Sequence, residues 1–169
     1  IVAFPDAYEI GMSNLACQII YDLLNKRADC VAERVYAPWP DMEKAMRANG
    51  VPLFTLETRT PCADFDLWGF ALSFELSYTN VLNMLDLGKV PVRSLDRDAG
   101  KPDGSHWPII FAGGHCTFNP EPMAPFIDVF VIGEAEEVLV EITETFKANR
   151  TLAREELLLK IAQIDGCYV

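Results

Sequence analysis

The sequence predicts a doubly wound α/β fold, with five parallel strands in one open sheet and helices on both faces. Two observations carry this. Short apolar runs alternate five times with amphipathic helical patterns, and right-handed crossovers between such runs place helices on both faces of a parallel sheet. The chain's unusual residues also gather just after those runs. Those positions are the carboxyl ends of the strands, where open sheets bind ligands.

Ile1-Val2-Ala3-Phe4 reads as a buried strand, ended by Pro5. Gly11-Met12-Ser13-Asn14 opens a helix to about Lys26-Arg27, capped by Ser13, with Leu15, Ile19 and Leu23 on its inner face. Cys30 to Tyr36 is the second strand. Two prolines stiffen Ala37-Pro38-Trp39-Pro40-Asp41. Asp41 then caps a helix through about Asn49, and Gly50 stops it. Val51 to Arg59 is a short strand or a covered loop.

Asp66 to Ser73 is apolar nearly throughout, as a strand covered on both faces must be. The next helix, about Glu75 to Leu87, carries Tyr78, Val81, Leu82 and Leu85 on one stripe. Val90 to Leu95 is expected as a short marginal strand, and the polar Asp96 to Ser105 as a mobile loop. Pro108 to Ala112 and Asp128 to Ile132 are the fourth and fifth strands, ending in Gly113-Gly114 and Gly133-Glu134. A helix to about Asn149 follows. Its inner face is Ala135, Val138, Leu139, Ile142 and Phe146, and its acidic first turn suits the helix dipole. A last helix covers about Leu152 to Ile164. Its Leu157, Leu158, Ile161 and Ile164 exceed one narrow stripe, so part of that face is expected to await a partner. The expected strand order is the flavodoxin-like (Rossmann-like) 2-1-3-4-5.

The 169 residues suit an α/β domain over 1–150 and a helix with the start of a linker over 151–169. Ile1 already sits inside a strand and Gly166 to Val169 begin something new, so a longer parent is expected. With 14 basic against 25 acidic residues, net −11, the domain has no basic patch for a phosphate backbone, and direct nucleic-acid binding is not expected. No apolar run reaches the roughly 18 residues of a membrane span. The five cysteines are scattered without metal-ligand spacing, which reads as reduced thiols in a cytoplasmic protein.

The rim after the strands narrows the ligand. One glycine, Gly11, in the first loop excludes a Gly-x-Gly-x-x-Gly dinucleotide site. A carboxylate and a phenol replace the hydroxyl-rich loop that FMN requires. Ser73 after the third strand excludes a phosphorylatable receiver. No Ser/His/Asp or Cys/His set is legible and two scattered carboxylates make no acid/base pair, so an independent small-molecule enzyme is not supported.

Asp6-Ala7-Tyr8-Glu9-Ile10-Gly11, Ser73-Phe74-Glu75-Leu76-Ser77-Tyr78-Thr79 and Gly113-Gly114 together resemble the marks of cobalamin-binding domains. Those marks are Asp-x-His-x-x-Gly, a Ser-x-Leu-type segment and Gly-Gly. Tyr8 stands where that family has its cobalt-ligating histidine. Phe4 to Leu15, Ala37 to Glu43, Phe74 to Asn80, Gly113-Gly114-His115, Asn119-Pro120-Glu121-Pro122 and Asp128 to Glu134 resemble the N-terminal region of radical SAM proteins with a B12-binding-type domain.

This resemblance implies a domain that binds cobalamin without a histidine ligand, or that positions substrate for the radical SAM barrel. Asp6, Ala7, Tyr8, Gly11, Ser73, Leu76, Ser77, Thr79, Gly113, Gly114, His115, Gly133 and Glu134 would surround the cobalamin. No catalytic or metal-ligating residue is implied here. S-adenosylmethionine and a 4Fe-4S cluster would belong to a radical SAM domain elsewhere in the parent, because the Cys-x-x-x-Cys-x-x-Cys motif is absent from this sequence. That domain is the implied partner, and the surplus apolar face of the last helix is expected to meet it or a homodimer mate. The competing reading is a module that keeps the fold, binds no cofactor, and recognises a substrate or a protein. Tyr8 reads either as a ligand-facing ring or as a plug in the loop mouth. Ser77 and Thr79 read as ligand contacts or as helix capping.

Overall fold

The computed structural model describes residues 1–169. It contains strands β1 (Val2–Phe4), β2 (Arg34–Tyr36), β3 (Leu67–Ala71), β4 (Ile109–Gly113), β5 (Val129–Val131) and β6 (Cys167–Tyr168). The helices are α1 (Tyr8–Gly11), α2 (Leu15–Asn25), α3 (Pro40–Asn49), α4 (Tyr78–Leu87), α5 (Ala135–Ala148) and α6 (Arg154–Ile161). The sheet order is β2-β1-β3-β4-β5-β6. The first five strands are parallel and follow the predicted order. β6 is an unforeseen sixth strand, antiparallel to β5, with Phe130 opposite Tyr168 and Val131 opposite Cys167. Two residues are too few to show a period-2 pattern, so only pairing reveals this strand.

Side-chain alternation divides the core into two layers. Trp68, Phe70, Ile110 and Ala112 face α3 and α4 through Met46, Val81, Met84 and Leu85. Ile109, Val129 and Val131 face α5 and α6 through Leu139, Ile142, Leu157 and Ile161. Val2, Phe4 and Tyr36 pack with Cys17 of α2.

Several expectations are corrected. In α2 the inner face is Cys17, Ile20, Tyr21 and Leu24, whereas Leu15 and Ile19 are exposed. The helix is apolar around most of its circumference, so periodicity offers two stripes and the sheet selects one. Asn14, not Ser13, caps α2, its side chain accepting from the Cys17 N–H at 3.0 Å. Asp41 lies inside α3, which starts at Pro40.

β2 begins only at Arg34. Glu33 still accepts from the Val2 N–H at 2.8 Å through its carbonyl, while its carboxylate accepts from the Thr55 hydroxyl at 2.5 Å and the Thr58 hydroxyl at 2.8 Å. Burial pushes its pKa up, but those bonds outweigh it and hold the carboxyl below its usual range. Val51 to Arg59 is a loop with one bridge, Phe54 to Pro61. Val90 to Leu95 is no strand. Pro91 removes a ladder donor, and a 3-10 turn occupies Ser94–Arg97.

The polar stretch from Asp96 is anchored by a buried Arg97. On the C-terminal helix, Leu157, Leu158, Ile161 and Ile164 all pack into the second core layer. The apolar residue this helix leaves to solvent is Leu159, 59% exposed. Residues 151–169 supply α6 and β6 to the same core and sheet.

Candidate functional site

Each loop at the carboxyl edge is fixed by short local bonds. After β1, the Asp6 carboxylate accepts from the Ala7 N–H at 2.7 Å, and the Asp6 carbonyl accepts from the Ala37 N–H at 3.0 Å. The first loop is thereby tied to the second. Tyr8 opens α1, and its ring meets Tyr36 edge-on at 5.3 Å. A Cβ on Gly11 would fall 2.7 Å from the Tyr36 ring and 2.8 Å from Phe4, so the glycine lets α1 lie flat on these aromatics. The Trp39 indole donates to Glu9 at 3.1 Å.

After β3, the Ser77 hydroxyl donates back to the Phe74 carbonyl at 2.6 Å, and although Ser77 precedes α4 its side chain caps no helix N–H. Asn80 donates to the Pro5 carbonyl at 2.9 Å, joining the β3 loop to the β1 loop. Thr79 is exposed, and Leu76 is 93% exposed.

After β4, the Gly113 carbonyl accepts from the Leu72 N–H at 2.7 Å. Gly114 has φ 113° and ψ −178°, a conformation essentially reserved to glycine. A Cβ there would lie 2.7 Å from the Leu72 carbonyl oxygen. The buried Thr117 hydroxyl lies 2.8 Å from the Gly114 carbonyl oxygen and 2.9 Å from that of Val131, pinning this loop to β5.

Between the sheet and the helices α2 and α5 lies a pocket of about 420 Å³ that reaches this rim. Its existence follows from side-chain size. Gly69, Ala71 and Gly113 present almost nothing to the space between the two helices. Cys17, Ile20 and Leu24 form the wall from α2, and Leu139 the wall from α5. Burial pushes the Cys17 thiol up to about 11, so it is an apolar wall rather than a nucleophile.

The mouth holds Ser73, Gly114, His115, Phe118, Gly133 and Glu134. Of the residues predicted from sequence, the pocket thus brings together Ser73, Gly113, Gly114, His115, Gly133 and Glu134. Asp6, Ala7, Tyr8, Gly11, Leu76, Ser77 and Thr79 are not part of its lining. Sequence reasoning missed Gly69, Phe111 and the α2 wall. The glycine inside the third apolar run was a usable signal, because a strand-interior glycine marks a close approach.

A pocket of similar volume, about 410 Å³, lies at the opposite edge of the sheet. Its Arg150 and Arg154 are committed to Asp66 and Asp128. The carboxyl-edge pocket is the more ligand-like, because its lining is mostly apolar with a few convergent polar groups.

No three His, Cys, Asp or Glu side chains converge to hold a metal ion. All five cysteines are free thiols. No helix is long and apolar enough to cross a membrane.

The family model for radical SAM proteins, N-terminal, matches residues 16–169. No curated protein and no solved structure matches the chain.

Proposed function

The chain belongs to the family of N-terminal regions of radical SAM proteins, and we propose that within such a protein it holds a corrinoid by its nucleotide tail. The observation that carries this reading is the apolar pocket under Gly113 and Gly114, open at the carboxyl edge of the sheet. The tail would lie between α2 and α5. Ser73 and His115 at the mouth would meet its polar linker. Tyr8, in the place of a histidine, would pack beneath the corrin ring without ligating cobalt. A bound corrinoid supplies cobalt-centred group or electron transfer. The chain's own part is to hold, orient and shield it toward the radical SAM domain.

The test is titration of the purified protein with aquacobalamin and with cobinamide, which lacks the nucleotide tail, followed by absorbance and co-elution on desalting. Cobalamin should bind and cobinamide should bind more weakly. Gly113→Leu should abolish the preference while melting normally, because a Cβ at this position meets only Val131, at 3.9 Å. Failure of cobalamin to bind overturns the reading.

A second reading has its own support. Ile10, Leu15, Phe74, Leu76 and Phe118 are large, apolar and exposed, in the segments that follow β1, β3 and β4. That fits a cofactor-free module whose rim docks on the radical SAM domain or its substrate. A well-folded protein that binds neither corrinoid would favour it.

A further inference from the structure

Beside the carboxyl-edge pocket, toward the opposite edge of the sheet, lies a smaller cavity of about 250 Å³. Both are lined by Ile1, Leu24, Phe111 and Leu139. The two cavities therefore adjoin at a collar of these four residues. The outer chamber runs over Ala71 and Gly113, and the inner chamber over Leu67.

Phe111 is the collar residue that rises from the middle of the sheet. It sits on β4 directly opposite Gly69 of β3. Its ring lies over that glycine, since a Cβ at position 69 would fall 2.4 Å from Cε2 and Cζ of Phe111. Gly69 is thus the notch in which the ring rests. Phe111 is only partly buried, and its ring borders the open space of both chambers.

We propose that Phe111, seated in the Gly69 notch, is the plug that divides the two cavities and sets the length of flat apolar group the outer chamber accepts. The proposal rests on the reading that this chamber holds a ligand's tail, and it adds the residue that limits that tail. A group that outgrows the outer chamber must displace the ring. With the ring removed, the two chambers join and the limit disappears.

The experiment compares two corrinoids that differ only in the lower base, benzimidazole against the same base extended by one fused ring, naphthimidazole. Affinities are measured by absorbance for the unaltered protein, Phe111→Ala and Phe111→Leu, with thermal melts as a folding control. The unaltered protein should prefer the shorter base by about tenfold or more, the scale at which an apolar pocket discriminates by size. Both variants should bind the two bases nearly equally, and Phe111→Leu keeps the test valid if the alanine variant unfolds.

Equal affinities in the unaltered protein, or a preference that survives both substitutions, would overturn the plug while leaving tail binding intact. If no corrinoid binds, the tail reading fails. The free bases then serve as probes of the same cavity by NMR line broadening. The same ranking and the same relief by Phe111→Ala are expected, and its absence overturns the plug.

Discussion

Arg97 donates to Asp128 at 2.8 Å with both side chains wholly removed from solvent. Asp128 also accepts from the Ile110 N–H at 2.6 Å, from Ser94 and from Arg154. Arg97 donates further to the carbonyls of Pro91 at 2.6 Å and Phe126 at 2.7 Å. Burial drives the Arg97 pKa down, and Asp128 only partly offsets it. One carboxylate therefore ties the loop before β4, the start of β5 and the start of α6. Asp128→Asn should cost about 3–5 kcal/mol, the usual consequence of stripping a buried charge of its partner. The midpoint of urea unfolding measures this, and an unshifted midpoint would refute it.

Gly114→Ala should cost about 1–3 kcal/mol, because it forces a side chain into a glycine-only conformation with its Cβ against the Leu72 carbonyl. Gly50→Ala is the control. It is also at positive φ, 67°, but has nothing within 4 Å. Thermal melts of the pair should rank Gly114→Ala as the more damaging. The reverse order would show that the contact with Leu72 is soft.

Asp29 should shape the acid limb of stability. Lys147 and Arg27 both donate to its carboxylate and hold its pKa at about 2, below the ordinary 3.8. A carboxylate depressed in the folded state stabilises above its unfolded pKa, and that contribution fades as pH falls from 3.8 through about 2. Asp29→Asn should flatten the stability profile in this window, and added salt should shrink the difference because these groups face water. Identical acid limbs in the two proteins would exclude the effect.

Tyr8→His creates an Asp-x-His-x-x-Gly sequence on a loop that the Asp6–Ala7 and Asp6–Ala37 bonds hold in place. With cob(II)alamin, the unaltered protein should give an EPR spectrum without nitrogen splitting from a protein ligand. The variant should acquire that splitting. Nitrogen splitting already present with Tyr8 would contradict the His-off reading.

The parallel order of the first five strands was legible because each fully covered strand is an apolar run and each helix carries a 3.6-residue stripe. Leu139 and Ile142 were placed correctly because α5 has a single such stripe. Leu15 and Ile19 were misplaced because α2 has two. Arg97 was unreadable, since a charged residue among polar neighbours looks solvated until Asp128, 31 positions away, meets it.

The sequence by itself determined the alternation of elements and the edge of the sheet where Ser73, Gly113, Gly114, His115, Gly133 and Glu134 collect. These are consequences of local pattern and spacing. Only the tertiary structure decided which stripe of α2 turns inward, that Cys167 and Tyr168 complete the sheet, and that Gly69 and Phe111 interlock where two cavities adjoin. Each of these depends on the volume left between elements distant in sequence, and that volume exists only once the strands are in register and α2 and α5 have settled on them.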